Sequence, residues 1–386
     1  MPSGPKNETH GDYATYETRA IPIRVAAVEL EQKARGAMSF AQGRFEPVAR
    51  ENFDDGWTKD DEPAAALQTH VTEERVRSII QRNQSPDLPF ELSINPYRGC
   101  EHGCIYCYAR PAHAYLELSP GLDFESRLFA KLNAAEVLRE EIARRAYRCS
   151  PIAIGANTDC YQPIERRYGI TRKLIGVLAE CNHPLTIVTK SALIERDLDL
   201  LGPMGRANLA KVFVTVTTLD RALARRLEPR ATSPQRRLDT IRALAAAGVP
   251  VGVMMAPVIP ALNDKSIEES LEAAAQAGAT MAGYQMLRLP NELKGLFREW
   301  LATHLPQRAD HVMSLVRQLR GGRDNDARFG SRMTGSGNFA DLIAKRFELA
   351  CRRSGLNGDE RGQVARRALD CSLFRQPGPG GQIALF

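Results

Sequence analysis

The chain has 386 residues, 43% hydrophobic and 25% charged, with 52 Lys and Arg against 46 Asp and Glu. A chain of this length buries a core without staples, and its eight cysteines show no paired framework, which points away from a disulfide-built secreted domain. The first twenty residues lack a basic head followed by an apolar run, and the longest uncharged apolar stretch, 249–262, holds three prolines and falls short of the roughly 18 residues of a membrane span, so a cytoplasmic protein is expected.

Residues 1–88 are polar, punctuated by Pro and Gly, and carry the acidic insert DDGWTKDDEP. They read as an irregular arm with local helices near 24–33 and 73–81. Beyond it, over 89–290, short β-branched runs alternate with longer amphipathic ones. ELSIN, PIAIGAN, LTIVTK, KVFVTVTT, VPVGVMM and AGYQML are strand candidates. The stretches 125–148, 169–181, 194–201, 233–247 and 265–277 are helix candidates, two of them closed by Gly248 and Gly278. Six strands alternating with helices predict an α/β core whose parallel sheet curls into a full or partial barrel. Three further helical runs, FREWLATHL, RADHVMSLVRQL and FADLIAKRFELACRRSG, fill 291–372, and 373–386 is a Pro/Gly linker ending in QIALF.

From residue 291 onward sixteen Lys and Arg face ten Asp and Glu, so all of the net charge of +6 lies there. Through Arg317, Arg320, Arg323, Arg328, Arg332, Lys345, Arg346, Arg352 and Arg353 this region suits a polyanion such as nucleic acid, or it is a solvated helical face.

The candidate chemistry falls at the carboxyl ends of the strands, where barrel folds place it. After the first comes GCEHGCIYCYAR, 99–110, with Cys100, Cys104 and Cys107 spaced by three residues and then two. Gly99 and Gly103 suit the positive φ values that wrapping a cluster demands. Zinc with His102 or His113 as fourth ligand is one reading; a 4Fe-4S cluster with one iron left open is the other. Thr158 and Asp159 follow the second strand, Lys190 the third, Thr215 and TVTT the fourth, and MAPVIP the fifth.

The pattern Cys-x-x-x-Cys-x-aromatic-Cys, here Cys100, Cys104, Tyr106 and Cys107, resembles the signature of radical S-adenosylmethionine (radical SAM) enzymes. TDCYQPIE, VTKS, LEPR and SPQRRLDTIRALAAAGVPVGVMMAPVIP are similar to the spore photoproduct lyase branch, also described as DNA repair photolyase-like. RGAMSFAQGRF and DARFGSRMTGSGNFADLIAKRFELACRR extend the likeness to a bacterial subfamily of that branch. The resemblance implies a partial (β/α)6 TIM-like barrel. It also implies a 4Fe-4S cluster on the three cysteines, with the S-adenosylmethionine amine and carboxylate on the fourth iron. On the same grounds Lys190 neutralises the cofactor carboxylate, Thr158 and Asp159 meet its amine, and Thr215 contacts the cofactor. As aromatics beside the cluster, Tyr106 and Tyr108 read equally as packing on adenine or substrate and as plain core packing.

The implied reaction is reductive cleavage to methionine and a 5′-deoxyadenosyl radical that abstracts hydrogen from a substrate. Nucleic acid, in repair or modification, is the leading substrate, with a protein or small molecule second. A metal-stabilised nucleic-acid or clamp adaptor without turnover is the third reading. Cluster potentials reach about −700 mV and glutathione only roughly −220 to −320 mV, so flavodoxin or ferredoxin is the expected donor. In the spore enzyme the residue three before the Asp is a hydrogen-donating cysteine; here it is Ala156, and Cys160 falls on a different side of the chain, which speaks against the spore enzyme's final step. Glu228 and Arg230 of LEPR read equally as barrel residues or substrate contacts. QIALF, through Gln382, Leu385 and Phe386, resembles peptides that dock on the bacterial sliding clamp.

Overall fold

A computed structural model describes residues 21–26, 35–53, 67–358 and 368–377. The arm supplies strands where the sequence predicts helices. Strand β1 (Ile21–Ala26) pairs in parallel with β2 (Val48–Phe53), so the helix expected over 24–33 falls partly on a strand and partly outside the described residues. Strands β3 (His70–Glu74) and β4 (Gln81–Arg82) stand where a helix was expected over 73–81. The reason is the partners of the intervening backbone. Val76 N–H donates to Asn133 Oδ1 (2.8 Å), Asn133 Nδ2 donates to the Val76 carbonyl (2.9 Å), and the buried carboxylate of Glu141 accepts from the N–H of Ile80 (2.9 Å). Backbone groups satisfied by a neighbouring helix's side chains have no need of their own helical turn.

Next come β5 (Leu92–Ile94), β6 (Tyr97–Arg98) and β7 (Arg127–Lys131). Strand β7 interrupts the helix predicted over 125–148, which is reduced to Ala134–Ile142. Here β3 pairs in parallel on one edge and β6 antiparallel on the other, and Leu128 and Ala130 are fully buried, so tertiary pairing overrides the helical pattern. The remaining strands are β8 (Ile152–Ile154), β9 (Leu185–Thr189), β10 (Ala210–Thr215), β11 (Val251–Val258) and β12 (Met281–Met286). The order β12-β11-β10-β9-β8-β5-β4 is parallel throughout except for the antiparallel edge strand β4. All six predicted core strands therefore form, in sequence order, as a partial barrel. Ile154, Ile187, Val212, Val214 and Val253 are almost fully buried, because helices such as Ile170–Glu180, Pro234–Ala246 and Ile267–Gln276 cover the sheet.

The C-terminal helices Leu293–His304 and Ala309–Leu319 share a second core with the cysteine loop, in which Phe297, Trp300, Leu287 and Leu289 pack with Ile105 and Tyr106. Helix Asn338–Arg353 lies on Ile267–Gln276, with Phe347 against Tyr284 at 4.7 Å between ring centroids. The basic patch expected here is largely neutralised within the fold. Arg317 pairs with Asp324 (3.0 Å), Arg328 with Asp326 (2.9 Å), Arg332 with Asp87 (2.6 Å) and Arg346 with Glu268 (2.7 Å), while Arg320 is buried. Residues 368–377 bind at the opposite end of the barrel from the cysteine loop, beside the amino ends of β9 and β10, where Arg375 N–H donates to Cys181 O (2.9 Å) and Asp370 N–H to Asn208 O (3.0 Å). The QIALF tail lies outside the described residues. Among those described, no helix is long and apolar enough to cross a membrane.

Candidate cofactor site

The cysteine loop leaves β6 through Gly99 (φ 73°) and turns again at Gly103 (φ 68°). A Cβ on Gly99 would lie 2.6 Å from Leu128 Cδ2, and one on Gly103 would lie 2.7 Å from Glu125 Oε2, so neither position has room for a side chain. Successive turns follow, from Cys107 N–H to Cys104 O (3.2 Å) and from Arg110 N–H to Cys107 O (3.1 Å). All three thiols are free; Cys100 and Cys104 are buried and Cys107 is half-buried. Burial pushes the Cys104 thiol up to about 12, against the opposing pull of the Lys190 ammonium.

Two other segments hold the loop in place. After β8, Gln162 accepts from Glu101 N–H (2.9 Å) and donates to Gly99 O (3.0 Å). The LEPR turn does the same from the far side: Leu227 O accepts from Ile105 N–H (3.1 Å), His102 O accepts from Arg230 N–H (3.3 Å), and Arg230 Nη1 meets Glu101 Oε1 at 3.0 Å. Glu228, wholly enclosed, accepts from Tyr106 Oη, Thr217 Oγ1 and Arg237 Nη2. Its burial opposes the charge, but Arg237 and Lys190 outweigh it and bring the carboxyl down to about 2. Both residues left open by the sequence therefore brace the cysteine loop.

At the ends of β8 and β9, Asp159 is the meeting point. Oδ1 accepts from Thr189 Oγ1 (2.7 Å) and Tyr161 N–H (2.9 Å), while Oδ2 accepts from Lys190 N–H (2.8 Å) and lies 3.3 Å from His102 Nδ1. Burial opposes ionisation here as well, but His102 and Lys190 hold the carboxyl well below the usual range. Three of its acceptor positions are thus filled from within the fold, and the fourth faces His102 without a formed hydrogen bond. Thr158 donates its hydroxyl to Tyr97 O (3.1 Å) and keeps its lone pairs free to accept. The half-buried Lys190 has Nζ 5.9 Å from the centre of the Tyr106 ring, and burial of its cation is outweighed by Cys104, Glu228 and Asp159, which raise its pKa. Thr215 ends β10, buried, with its carbonyl accepting from Arg237 Nη1 (3.0 Å).

The Radical SAM superfamily profile matches residues 94–274, which span β5 to the helix before β12. An uncharacterized protein of Mycobacterium tuberculosis is 40% identical over 233 residues, covering 60% of this chain and 68% of its own length, and one of Mycobacterium bovis matches to the same extent. The chain belongs to the radical SAM superfamily. An uncharacterized protein of Methanocaldococcus jannaschii is 28% identical over 171 residues, 44% of this chain and 61% of its own. Among solved structures, spore photoproduct lyase complexed with dinucleoside spore photoproduct shares the fold with a TM-score of 0.56 and 16% identity, over 80% of this chain and 88% of that one. A mutant of that lyase gives a TM-score of 0.51 at 17% identity, over 82% and 88%.

Radical SAM enzymes carry a 4Fe-4S cluster and S-adenosylmethionine, and the donor set here fits that pair. Three free cysteines on one short loop supply three thiolates, one for each of three irons of a cubane, and leave the fourth iron to another donor. His113, one candidate for a fourth zinc ligand, is committed elsewhere: Nε2 lies 2.9 Å from Arg127 O, and the ring packs edge-on to Phe124 and Phe129. His102 faces Asp159.

One part of this radical SAM site has no counterpart in the strand-end reading. Residues 35–46 of the arm fold back over the cysteine loop through Glu125, whose carboxylate accepts from Gly36 N–H (2.9 Å), Ala37 N–H (2.8 Å) and Arg110 Nη2, while Arg35 Nη1 donates to Glu125 O (2.7 Å). Arg110 also donates to Cys104 O (2.9 Å) and Gly103 O (3.1 Å). RGAMSFAQGRF stands out in the sequence only by its resemblance; its pairing with Glu125 leaves no periodic or spacing signal there.

Proposed function

We propose that Cys100, Cys104 and Cys107 bind the cluster, that Lys190, Thr158, Thr215 and Tyr106 hold S-adenosylmethionine, and that the enzyme acts on nucleic acid. The observation that carries this reading is the convergence of the cysteine loop, Asp159 and Lys190 at the ends of β5, β8 and β9. When bound, the two cofactors supply reductive carbon–sulfur cleavage and a hydrogen-abstracting 5′-deoxyadenosyl radical. The chain's own residues position them. Lys190 offers a cation to the carboxylate of methionine, and Thr158 offers a hydroxyl oxygen to its amine. Asp159 accepts from the Lys190 N–H, faces His102, and keeps acceptor capacity on Oδ2 for the cofactor amine beside Thr158. Tyr106 is fixed by Glu228 and so presents a ring of constant position. Radical SAM enzymes typically take electrons from flavodoxin or ferredoxin, and such a donor is proposed here.

Two features support nucleic acid. Tyr108 and Phe329 are exposed rings, with Arg288 5.6 Å from the centre of the first and Arg332 4.5 Å from the second, a combination suited to unstacked bases and phosphates. On the same fold, spore photoproduct lyase is complexed with a dinucleoside. The QIALF sequence, through Gln382, Leu385 and Phe386, is proposed to bring the enzyme to a sliding clamp. Ala156, whose carbonyl accepts from Tyr108 Oη, brings no thiol to the mouth, and Cys160 is fully buried, which speaks against a final step of the spore enzyme's type.

The test is to incubate reduced, cluster-loaded enzyme with S-adenosylmethionine and deuterated nucleic acids, damaged and intact. Deuterium in the released 5′-deoxyadenosine is expected from at least one of them. Transfer only from a protein or small molecule would overturn the substrate assignment.

A further inference from the structure

We infer that Arg288 is an anion site at the barrel mouth, where it takes one phosphodiester of an unstacked nucleic-acid segment lying beside Tyr108. The inference rests on the nucleic-acid reading above. Arg288 stands two residues beyond the end of β12, at the same end of the barrel as the cysteine loop, and Tyr108 directly follows Cys107. The guanidinium lies 5.6 Å from the centre of the Tyr108 ring, and that ring is 41% exposed. The ring is held in place by its hydroxyl, which donates to Ala156 O.

Arg288 itself is poorly satisfied. Its Nη1 reaches only the thioether of Met333, at 3.7 Å, a weak acceptor, and its Nε is buried without a partner. The neighbouring charges are already used. Asp87 accepts from Arg332 Nε (2.6 Å) and Gly330 N–H (2.8 Å), and Asp326 from Arg328 Nη2 (2.9 Å) and Ser331 Oγ (2.9 Å). Arg320 is spent on the carbonyls of Leu287 (2.6 Å), Arg332 (2.9 Å) and Ser331 (3.0 Å). Four guanidiniums thus meet two carboxylates; Arg320 keeps only its Nε unpartnered, whereas Arg288 has neither a carboxylate nor a carbonyl partner on any of its nitrogens. Burial, followed by repulsion from Arg332, lowers its pKa, so an anion placed beside it would be stabilising.

A phosphodiester matches what is missing. Its two free oxygens suit the guanidinium fork, and a base attached to it reaches the open face of Tyr108, since aromatic stacking accepts any base. A carboxylate would satisfy the fork but leave the ring without a planar partner.

The test uses full-length, cluster-loaded protein with S-adenosylmethionine and a labelled oligothymidylate of about twelve nucleotides, within the span that single-strand sites cover, followed by fluorescence anisotropy across a salt series. Arg288→Gln is expected to weaken binding about tenfold and to reduce the salt slope by about 0.7, the share of one phosphate on a single strand. Arg288→Lys should keep the slope and recover part of the affinity, which a folding defect would not do. Arg242→Gln, exposed on the outer helix Pro234–Ala246, should match the parent protein. Oligonucleotide binding by Arg288→Gln with parental affinity and slope would overturn the Arg288 assignment while leaving the nucleic-acid reading intact. A parent protein that ignores the oligonucleotide but binds an acidic peptide would overturn both.

Discussion

The carboxylate of Glu125 is fully buried and accepts from Arg110 and from the N–H groups of Gly36 and Ala37, so removing its charge leaves a buried guanidinium without its counter-ion. Glu125→Gln is expected to cost about 3–5 kcal/mol in urea denaturation, whereas Arg346→Ala, which breaks a partly exposed pair with Glu268, should cost no more than about 1 kcal/mol. Equal effects would contradict the special place given to Glu125. Cys100, Cys104, Cys107 and Lys190 stand out in the sequence because their spacing and their position after a strand both carry information. Glu125, Arg110, Gln162 and Arg237 do not. A buried charge inside an amphipathic stretch looks the same as a surface charge until its distant partner is known.

At the scale of elements, the segment 35–46 is seated so closely that Gly36 admits no side chain: a Cβ there would fall 1.6 Å from the Gly103 carbonyl oxygen. That obstacle is backbone, which no rotamer change relieves. Gly36→Ala should therefore lift the segment from the cysteine loop and make the cluster bleach several-fold faster in air, followed by its visible absorbance. Unchanged bleaching would mean that the segment does not shield the loop. The core strands were legible because β-branched runs report parallel, doubly covered strands directly. The arm was not: β3 and β7 are made by pairing with each other, and the chain at 76–80 takes its hydrogen bonds from Asn133 and Glu141, far along the sequence.

For the molecule as a whole, net charge was the least informative quantity. The basic C-terminal balance suggests a broad polyanion surface, yet most of the arginines named for it are paired or buried, and Arg288, partly buried with no carboxylate or carbonyl partner, lies just before that region. Whole-molecule stability should depend on pH through buried histidines. His183, with Nε2 2.7 Å from Tyr147 Oη, is brought down to about 4, chiefly by burial. Unfolded, it binds a proton below about 6.5, so its contribution is complete above that pH and is lost between about 6.5 and 4, up to about 3 kcal/mol. His183→Gln should flatten that part of the stability profile measured by urea midpoints. A parallel loss in the variant would assign the pH dependence to other groups.

The cluster assignment is tested most directly by electron paramagnetic resonance of the anaerobically reduced protein, before and after S-adenosylmethionine is added. The expected result is a 4Fe-4S signal that changes on addition and is lost when Cys100, Cys104 or Cys107 is replaced by Ala. A signal indifferent to S-adenosylmethionine, from a metal centre ligated entirely by the polypeptide, would contradict it.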